Sequence, residues 1–313
     1  MKKSCLLLLC LITSYFCQAQ RSEIGVLVGT SFYLGDLNSM PFQNVNPQGD
    51  FVFKFASGLV YRYNFTPRIA LKVNILFGEI AASDSNNRSI AYNTINGKKV
   101  HKWDYEDRGL SFSSPISEIS AQLEINFFNI YTAGHKNQIS PYLFGGGAIF
   151  SFNPQAVSTV DGKPYDLQPI GTEGQGRTIT DKNGNSKKMP EKYPLTGFAI
   201  PFGIGFKANI GRYICIGAEW GLRFTFTNYL DDVGGLYFEF TNAMEPDPVI
   251  RTIKQRFADP SGNHTPDSQR YSTIKKDWYS FAGVIITVRI GNEDRFCDVR
   301  TNVNLKNKQG RKR

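Results

Sequence analysis

From Phe198 to Ile210 every second residue is apolar: Phe198, Ile200, Phe202, Ile204, Phe206, Ala208 and Ile210, with Ala199, Pro201, Gly203, Gly205, Lys207 and Asn209 between them. A period of two marks a strand with two unlike faces. After the turn Asn209-Ile210-Gly211-Arg212 the pattern resumes. Ile214, Ile216, Ala218, Trp220, Leu222, Phe224 and Phe226 alternate with Cys215, Gly217, Glu219, Gly221, Arg223 and Thr225. Soluble strands run about five or six residues. Strands of about ten, tilted near 45°, are what a bilayer requires. The apolar face of this hairpin suits lipid, and its glycine-rich face with a few charges suits the crowded interior of a small barrel.

The same reading gives six more strands. Glu23 to Leu34 ends at the turn signal Gly35-Asp36, and Phe53 to Asn64 places Lys54, Ala56, Gly58 and Arg62 inward. Pro67 closes a tight turn into Ile69 to Gly78, whose inner face is Ala70, Lys72, Asn74 and Gly78. Ile116 to Phe128 shows the plainest alternation, with Glu118, Ser120, Gln122, Glu124 and Asn126 on one face. Pro141 to Phe152 follows, weakened by Gly145-Gly146-Gly147. Trp278 to Ile290 closes the set with Ala282, Val284, Ile286 and Val288 on one face, and its weaker alternation leaves the direction of that face open. Connections alternate long and short, as in barrels with both termini in the periplasm. The expected fold is all-β, an eight-stranded antiparallel transmembrane outer-membrane β-barrel with four long extracellular loops and short periplasmic turns. Ser83 to Ser113 has no packed-core signature, and Asn153 to Pro194 and the stretch to Lys276 read as loops. Pro201 cannot donate to a ladder, so a bulge is expected beside it.

The start of the chain bears on location. Lys2 and Lys3, the apolar run Leu6 to Ile12 and Cys17-Gln18-Ala19 have the layout of a secretory signal, expected over residues 1–19. The barrel then occupies 20–291, and a basic periplasmic tail 292–313. Tyr15 and Phe16 are too bulky for a lipoprotein site at Cys17. Such an exported chain belongs in the cell outer membrane. Of the net charge of +9, loss of Lys2 and Lys3 with the signal leaves +7. For an exported chain this points away from nucleic acid and toward outer-membrane lipid and lipopolysaccharide, an acidic periplasmic protein, or no more than solubility. Of five cysteines, Cys215 and Cys297 remain after the signal. They are a candidate disulfide that would fold the tail under the barrel; free thiols, or a bridge from Cys297 to another protein, are the alternatives.

Arg62, Lys72, Glu118, Glu124, Glu219 and Arg223 all fall on inward phases and are expected to form a polar network in the lumen, since charges buried unpaired are costly. Such a network serves as a gate or as a plug. An eight-stranded barrel holds little beyond its own side chains, which favours the plug. Catalysis lacks a candidate: His101, His135 and His264 lie in loops or turns without a serine nucleophile motif. Asp181-Lys182-Asn183-Gly184-Asn185 resembles the start of a calcium loop but has Ser186 where glycine is needed and Lys192 where the bidentate acid belongs. No enzyme activity, cofactor or metal is expected.

Several segments resemble one family. They are Glu23-Ile24-Gly25-Val26, Tyr61-Arg62-Tyr63-Asn64, Glu118 to Phe127, Ile200-Pro201-Phe202-Gly203-Ile204-Gly205-Phe206 and Asp231-Asp232-Val233. To these is added the loop motif Leu167, Gln168, Pro169, Ile170, Gly171, Thr172, Glu173, Gly174, Gln175 and Gly176. Together they resemble the PorG family, the small outer-membrane barrel of the type IX secretion system of Bacteroidota, over about Arg21 to Gly291. The resemblance implies a barrel that works with the periplasmic ring of a PorK-like lipoprotein and a PorN-like protein in cargo export. The turns Asn64 to Arg68, Asn129 to Gln138 and Asn209 to Arg212 are the expected contacts. The tail after Gly291 has no match to that family. A structural or ligand-binding barrel unrelated to secretion and a lipid-modifying barrel enzyme are the alternatives.

Overall fold

The computed structural model describes residues 22–38, 53–84, 108–130, 138–180, 186–211, 213–271 and 276–290, with the backbone of 92–95 and 98–101. Among these residues eight long antiparallel strands close a barrel. They are β1 (Ser22–Leu34), β2 (Phe55–Asn64), β3 (Ile69–Ser83), β4 (Ser111–Asn126), β5 (Ile139–Phe152), β6 (Thr196–Ile210), β7 (Ile214–Thr225) and β8 (Trp278–Ile290). Each pairs with its sequence neighbours, and β8 closes on β1 from Ser22↔Ile290 to Leu34↔Trp278. Closure removes the edges that an open sheet would present to lipid.

The barrel is inside out relative to a soluble domain. Ile24, Val26 and Val28 on β1, Ile119, Leu123 and Ile125 on β4, Phe198, Ile200, Phe202, Ile204 and Phe206 on β6 and Val284, Ile286, Val288 and Ile290 on β8 face outward and are about half exposed. Arg62, Lys72, Glu118, Glu124, Lys207 and Arg223 are buried. Only a bilayer makes a continuous apolar exterior favourable. On β8 the structure turns Val284, Ile286 and Val288 outward, a facing that the sequence left open. Its alternation looked weak because Tyr279, Phe281 and Ile285, all apolar, point inward.

Three expectations need correction. No bulge accompanies Pro201. The β6–β7 ladder runs unbroken through Pro201↔Arg223, and the β6–β5 ladder keeps one register on either side of a gap between Ala199↔Ala148 and Phe202↔Gly145. The missing N–H is absorbed by leaving out the pairs opposite Gly146 and Gly147, whose flexible backbone needs no compensating residue. The strand bounds also shift: β3 runs on to Ser83, and β4 begins at Ser111 and continues through Pro115.

Finally, the described parts of the extracellular connections are not open loops. Gln155–Val157 pairs with Pro164–Asp166, and Thr178–Thr180 with Ser186–Lys188. A short helix α1 (Leu167–Ile170) and a longer one, α2 (Pro248–Ala258), pack above the barrel. Leu37, Leu110, Phe112, Leu167, Ile170, Tyr193, Leu230, Val233, Phe238, Ile253 and Phe257 share one buried cluster, continuous with the upper lumen. The apolar residues of this cap are scattered over four connections, so no window of sequence displays them as a core.

Candidate functional site: a sealed lumen under a clasped cap

Strand phase brings all six sequence-derived charges into the lumen, where they bond across it. Lys72 on β3 donates to Glu219 on β7, diametrically opposite. Arg223 on β7 reaches Glu118 on β4 at 3.0 Å. Arg62 on β2 contacts Glu124 on β4 at 3.0 Å and its neighbour Glu23 on β1 at 2.7 Å. Glu124 also accepts from Lys207 on β6 at 2.8 Å and lies 3.5 Å from Lys72. Tyr142 donates to Glu219 at 2.7 Å and Tyr279 to Glu118 at 2.9 Å. Aromatic rings fill the remaining space: Lys72 Nζ sits 4.3 Å from the Phe144 centroid, and the Arg223 guanidinium 4.8 Å from that of Phe281. The glycines opposite make room for these rings. A Cβ at Gly205 would lie 2.2 Å from Tyr142 Cζ.

Sequence phase alone would have found three further members. Glu23, Lys207 and Arg289 occupy inward positions, and Glu23 pairs across β1–β8 with Arg289. Cys215 is buried at the periplasmic end of β7 with its thiol free, while Cys297 lies outside the described residues.

A second polar cluster stands above the lumen, signalled in sequence only by the loop motif and by Asp231-Asp232-Val233. Arg270 Nη1 donates to Thr172 Oγ1 and Glu173 Oε1 (3.1 Å each) and to the Asp232 carbonyl (2.8 Å), while its Nη2 reaches the Phe257 carbonyl at 3.0 Å. Glu173 also accepts the backbone N–H groups of Gly234 and Gly235 at 3.0 Å each. Thr172 and Tyr193 donate to the Asp232 carboxylate. Arg108 grips Asp84 and donates to the carbonyls of Arg270 (2.9 Å) and Asp36 (3.1 Å). Two guanidinium groups thus tie all four extracellular connections together. Gly174, at φ 79° with a Cβ position 2.6 Å from the Phe238 ring, admits no side chain. Leu167, Ile170, Thr172, Glu173 and Gln175 are buried; Gln168 donates to the Tyr193 carbonyl at 3.0 Å, and Lys192 to that of Pro169 at 2.8 Å. Gly171 takes the left-handed conformation that ends α1, and Gly176 N–H donates to the Pro190 carbonyl.

Electrostatics in the cap are strained in one direction. Burial pushes the Asp232 carboxyl up to about 6, with Glu173 adding to the shift and Arg270 opposing it. Burial lowers Arg108, but the Asp84 carboxylate outweighs it and holds the guanidinium above its ordinary range. Beside them Asp36, Asp231 and Asp277 are buried with carboxylate oxygens within 4.8 Å of one another, and Tyr33 Oη donates to Asp231 (2.6 Å) and Asp277 (3.0 Å). Burial, then the charge of the neighbouring carboxylates, drives Asp231 and Asp277 well above the ordinary aspartate value. Of the histidines, His264 donates or accepts at Asp259 and Ser261 through the same Nδ1, which is not a relay geometry. His135, the side chain of His101 and Asp181–Asn185 lie outside the described residues.

An apolar exterior, a lumen closed by ion pairs and a folded cap on the side of the long connections define a small outer-membrane β-barrel. The chain belongs to the family described as "Domain of unknown function (DUF6089)", whose model matches residues 2–168. Its fold is similar to that of Ail, the attachment invasion locus protein of Yersinia pestis (9% identity, 85% of this chain and 96% of that one, TM-score 0.34). It is also similar to Neisserial surface protein A (7% identity, 86% and 96%, TM-score 0.37) and to OprG from Pseudomonas aeruginosa (6%, 86% and 93%, TM-score 0.28). No curated protein matches the sequence.

Proposed function

We propose that this protein is a non-enzymatic, non-conducting outer-membrane component of type IX secretion that anchors or positions a periplasmic ring of PorK-like and PorN-like proteins. The observation that carries the non-conducting part is the lumen itself, spanned by Lys72–Glu219, Arg223–Glu118 and Arg62–Glu124–Lys207 with aromatic rings between them. A barrel filled this way passes neither cargo nor ions, so its work lies at its ends. The secretion role is supported by the resemblance of Leu167 to Gly176 and Ile200 to Phe206 to the PorG family.

The periplasmic turns suit an anchor because they are braced against each other. Arg68 Nε donates to Asn129 Oδ1 at 2.9 Å, and the Pro67 carbonyl accepts from Ile130 N–H at 3.0 Å. Exposed Phe65, Phe127 and Phe128 stand beside them. Residues 131–137 and 212, part of the same expected contact face, lie outside the described residues. Lipid and lipopolysaccharide surround the barrel in this reading. The test is to extract the tagged protein from outer membranes in mild detergent and identify what accompanies it. Recovery of PorK-like and PorN-like proteins, lost on Arg68→Glu with Asn129→Ala, is the expected result. A barrel recovered alone while the ring proteins are present in the same extract overturns the secretion role, and channel steps in a planar bilayer overturn the sealed lumen.

A further inference from the structure

The side of α2 turned away from the cap core borders a cleft of about 610 Å³, within the range of small-ligand sites. Its walls are fixed before any ligand arrives. Asp247 caps α2 by accepting from Val249 and Ile250 N–H. Gln255 pins the helix to the facing segment, accepting from Phe240 N–H at 2.8 Å and donating to the Phe238 carbonyl at 3.4 Å. On the third side Asp259 holds His264 through its backbone N–H (3.0 Å) and Nδ1 (2.9 Å), and the imidazole lies flat on Tyr237 with centroids 4.0 Å apart.

Charge selects among possible occupants. Arg251 and Arg256 line the cleft, and each spends one guanidinium nitrogen on a carbonyl: Arg251 on Glu245 at 2.7 Å, Arg256 on Pro260 at 2.6 Å. The other N–H groups of each fork have no partner among the described residues. Asp259 is already engaged by His264 and Ser261, so the exposed Glu239 is the remaining acid on the wall. A guanidinium fork matches a carboxylate, Glu239 can accept from hydroxyl groups, and the His264 ring stacked on Tyr237 lines the cleft where a sugar ring would pack. The lining is too polar for an acyl chain, and the cleft opens on the extracellular side.

We propose that this cleft binds an anionic sugar unit, a uronic acid or similarly carboxylated residue of a cell-surface glycan. The full chain in detergent micelles is titrated with sodium glucuronate, glucose and sodium phosphate and followed by saturation-transfer NMR. Glucuronate is expected to bind roughly tenfold more tightly than either of the others, as a charge-assisted fork contact combined with ring contacts implies. Arg251→Gln with Arg256→Gln should lose about that factor. Thr252→Trp, which puts a large ring into the cleft from an exposed position and leaves both arginines in place, should abolish binding. Each variant is checked for the heat-modifiable gel mobility of a folded barrel. Phosphate binding as tightly as glucuronate, glucose binding as tightly, or glucuronate binding that survives Thr252→Trp each overturns the proposal.

Discussion

Glu124 is the hinge of the lumenal network, and its removal gives a quantity that the geometry fixes in advance. Glu124→Gln keeps the volume and removes the charge. Arg62 then still has Glu23 at 2.7 Å, and Lys72 still has Glu219. Lys207, whose ion pair is with Glu124 at 2.8 Å, is left as a buried ammonium against a neutral amide. Removing one partner of a buried pair costs about 3–5 kcal/mol, and the amide oxygen retains one hydrogen bond, which places the loss near the lower figure. A loss of about 3 kcal/mol is roughly a hundredfold in the unfolding equilibrium. Equilibrium urea unfolding in micelles, checked for reversibility, measures it. Adding Lys207→Met should recover all but about 1 kcal/mol, because an apolar side chain in place of a buried pair is close to neutral. A single-variant cost under about 1 kcal/mol, or a second substitution that adds to the first, refutes the claim that these ions hold the lumen as one network.

Four further outcomes follow from the cap and the lumen. Arg270→Met removes the donor to Thr172, Glu173 and two carbonyls and should expose residues 153–195 and 226–277 to protease at least tenfold faster, with barrel gel mobility unchanged. Asp232 has a folded pKa raised from 3.8 to about 6, so its contribution to cap stability is fully present below the unfolded value and is lost as pH rises through 6. The protection of cap amides, corrected for the intrinsic rise of exchange with pH, should therefore fall between pH 4 and 7 by up to about 3 kcal/mol, and Asp232→Asn should flatten that profile. Gly205→Leu drives a side chain into Tyr142 and should cost about 1–3 kcal/mol by overpacking, read in the same urea titration. Lys188→Ala breaks a fully exposed ion pair with Glu191 and should leave the unfolding midpoint where it was.

The barrel was legible because lipid imposes a rule that acts residue by residue. Period-two alternation in Phe198 to Phe226 and Ile116 to Asn126 fixes both the strands and which side chains enter the lumen, so Arg62, Lys72, Glu118, Glu124, Glu219 and Arg223 could be named from phase alone. Pairing partners could not: that Lys72 meets Glu219 depends on barrel closure and the lengths of two side chains. The cap was missed for a different reason. Leu110, Leu167, Val233 and Ile253 are isolated apolar residues in polar surroundings and form a core only when four distant connections converge. Asp232 stood out in sequence only through the resemblance of Asp231-Asp232-Val233, and its φ of 64° in a buried cluster is the strain that functional or keystone positions carry.

Where the family resemblance falls also changes what it can be asked to support. Leu167 to Gly176 and Asp231 to Val233 do not sit near the periplasmic turns; they supply the Thr172, Glu173 and Asp232 acceptors that Arg270 clasps on the opposite side of the membrane. A motif buried this way specifies a rigid cap. If cap geometry matters to secretion, Arg270→Met should reduce cargo export while PorK-like and PorN-like proteins still co-purify, because the braced turns at Arg68 and Asn129 are untouched. If the cap serves only to close the barrel, the same variant exports normally despite its faster proteolysis. Under the proposed secretion role, the first outcome makes the barrel a coupling between an extracellular surface and a periplasmic ring, and the second confines that proposed role to anchorage from below.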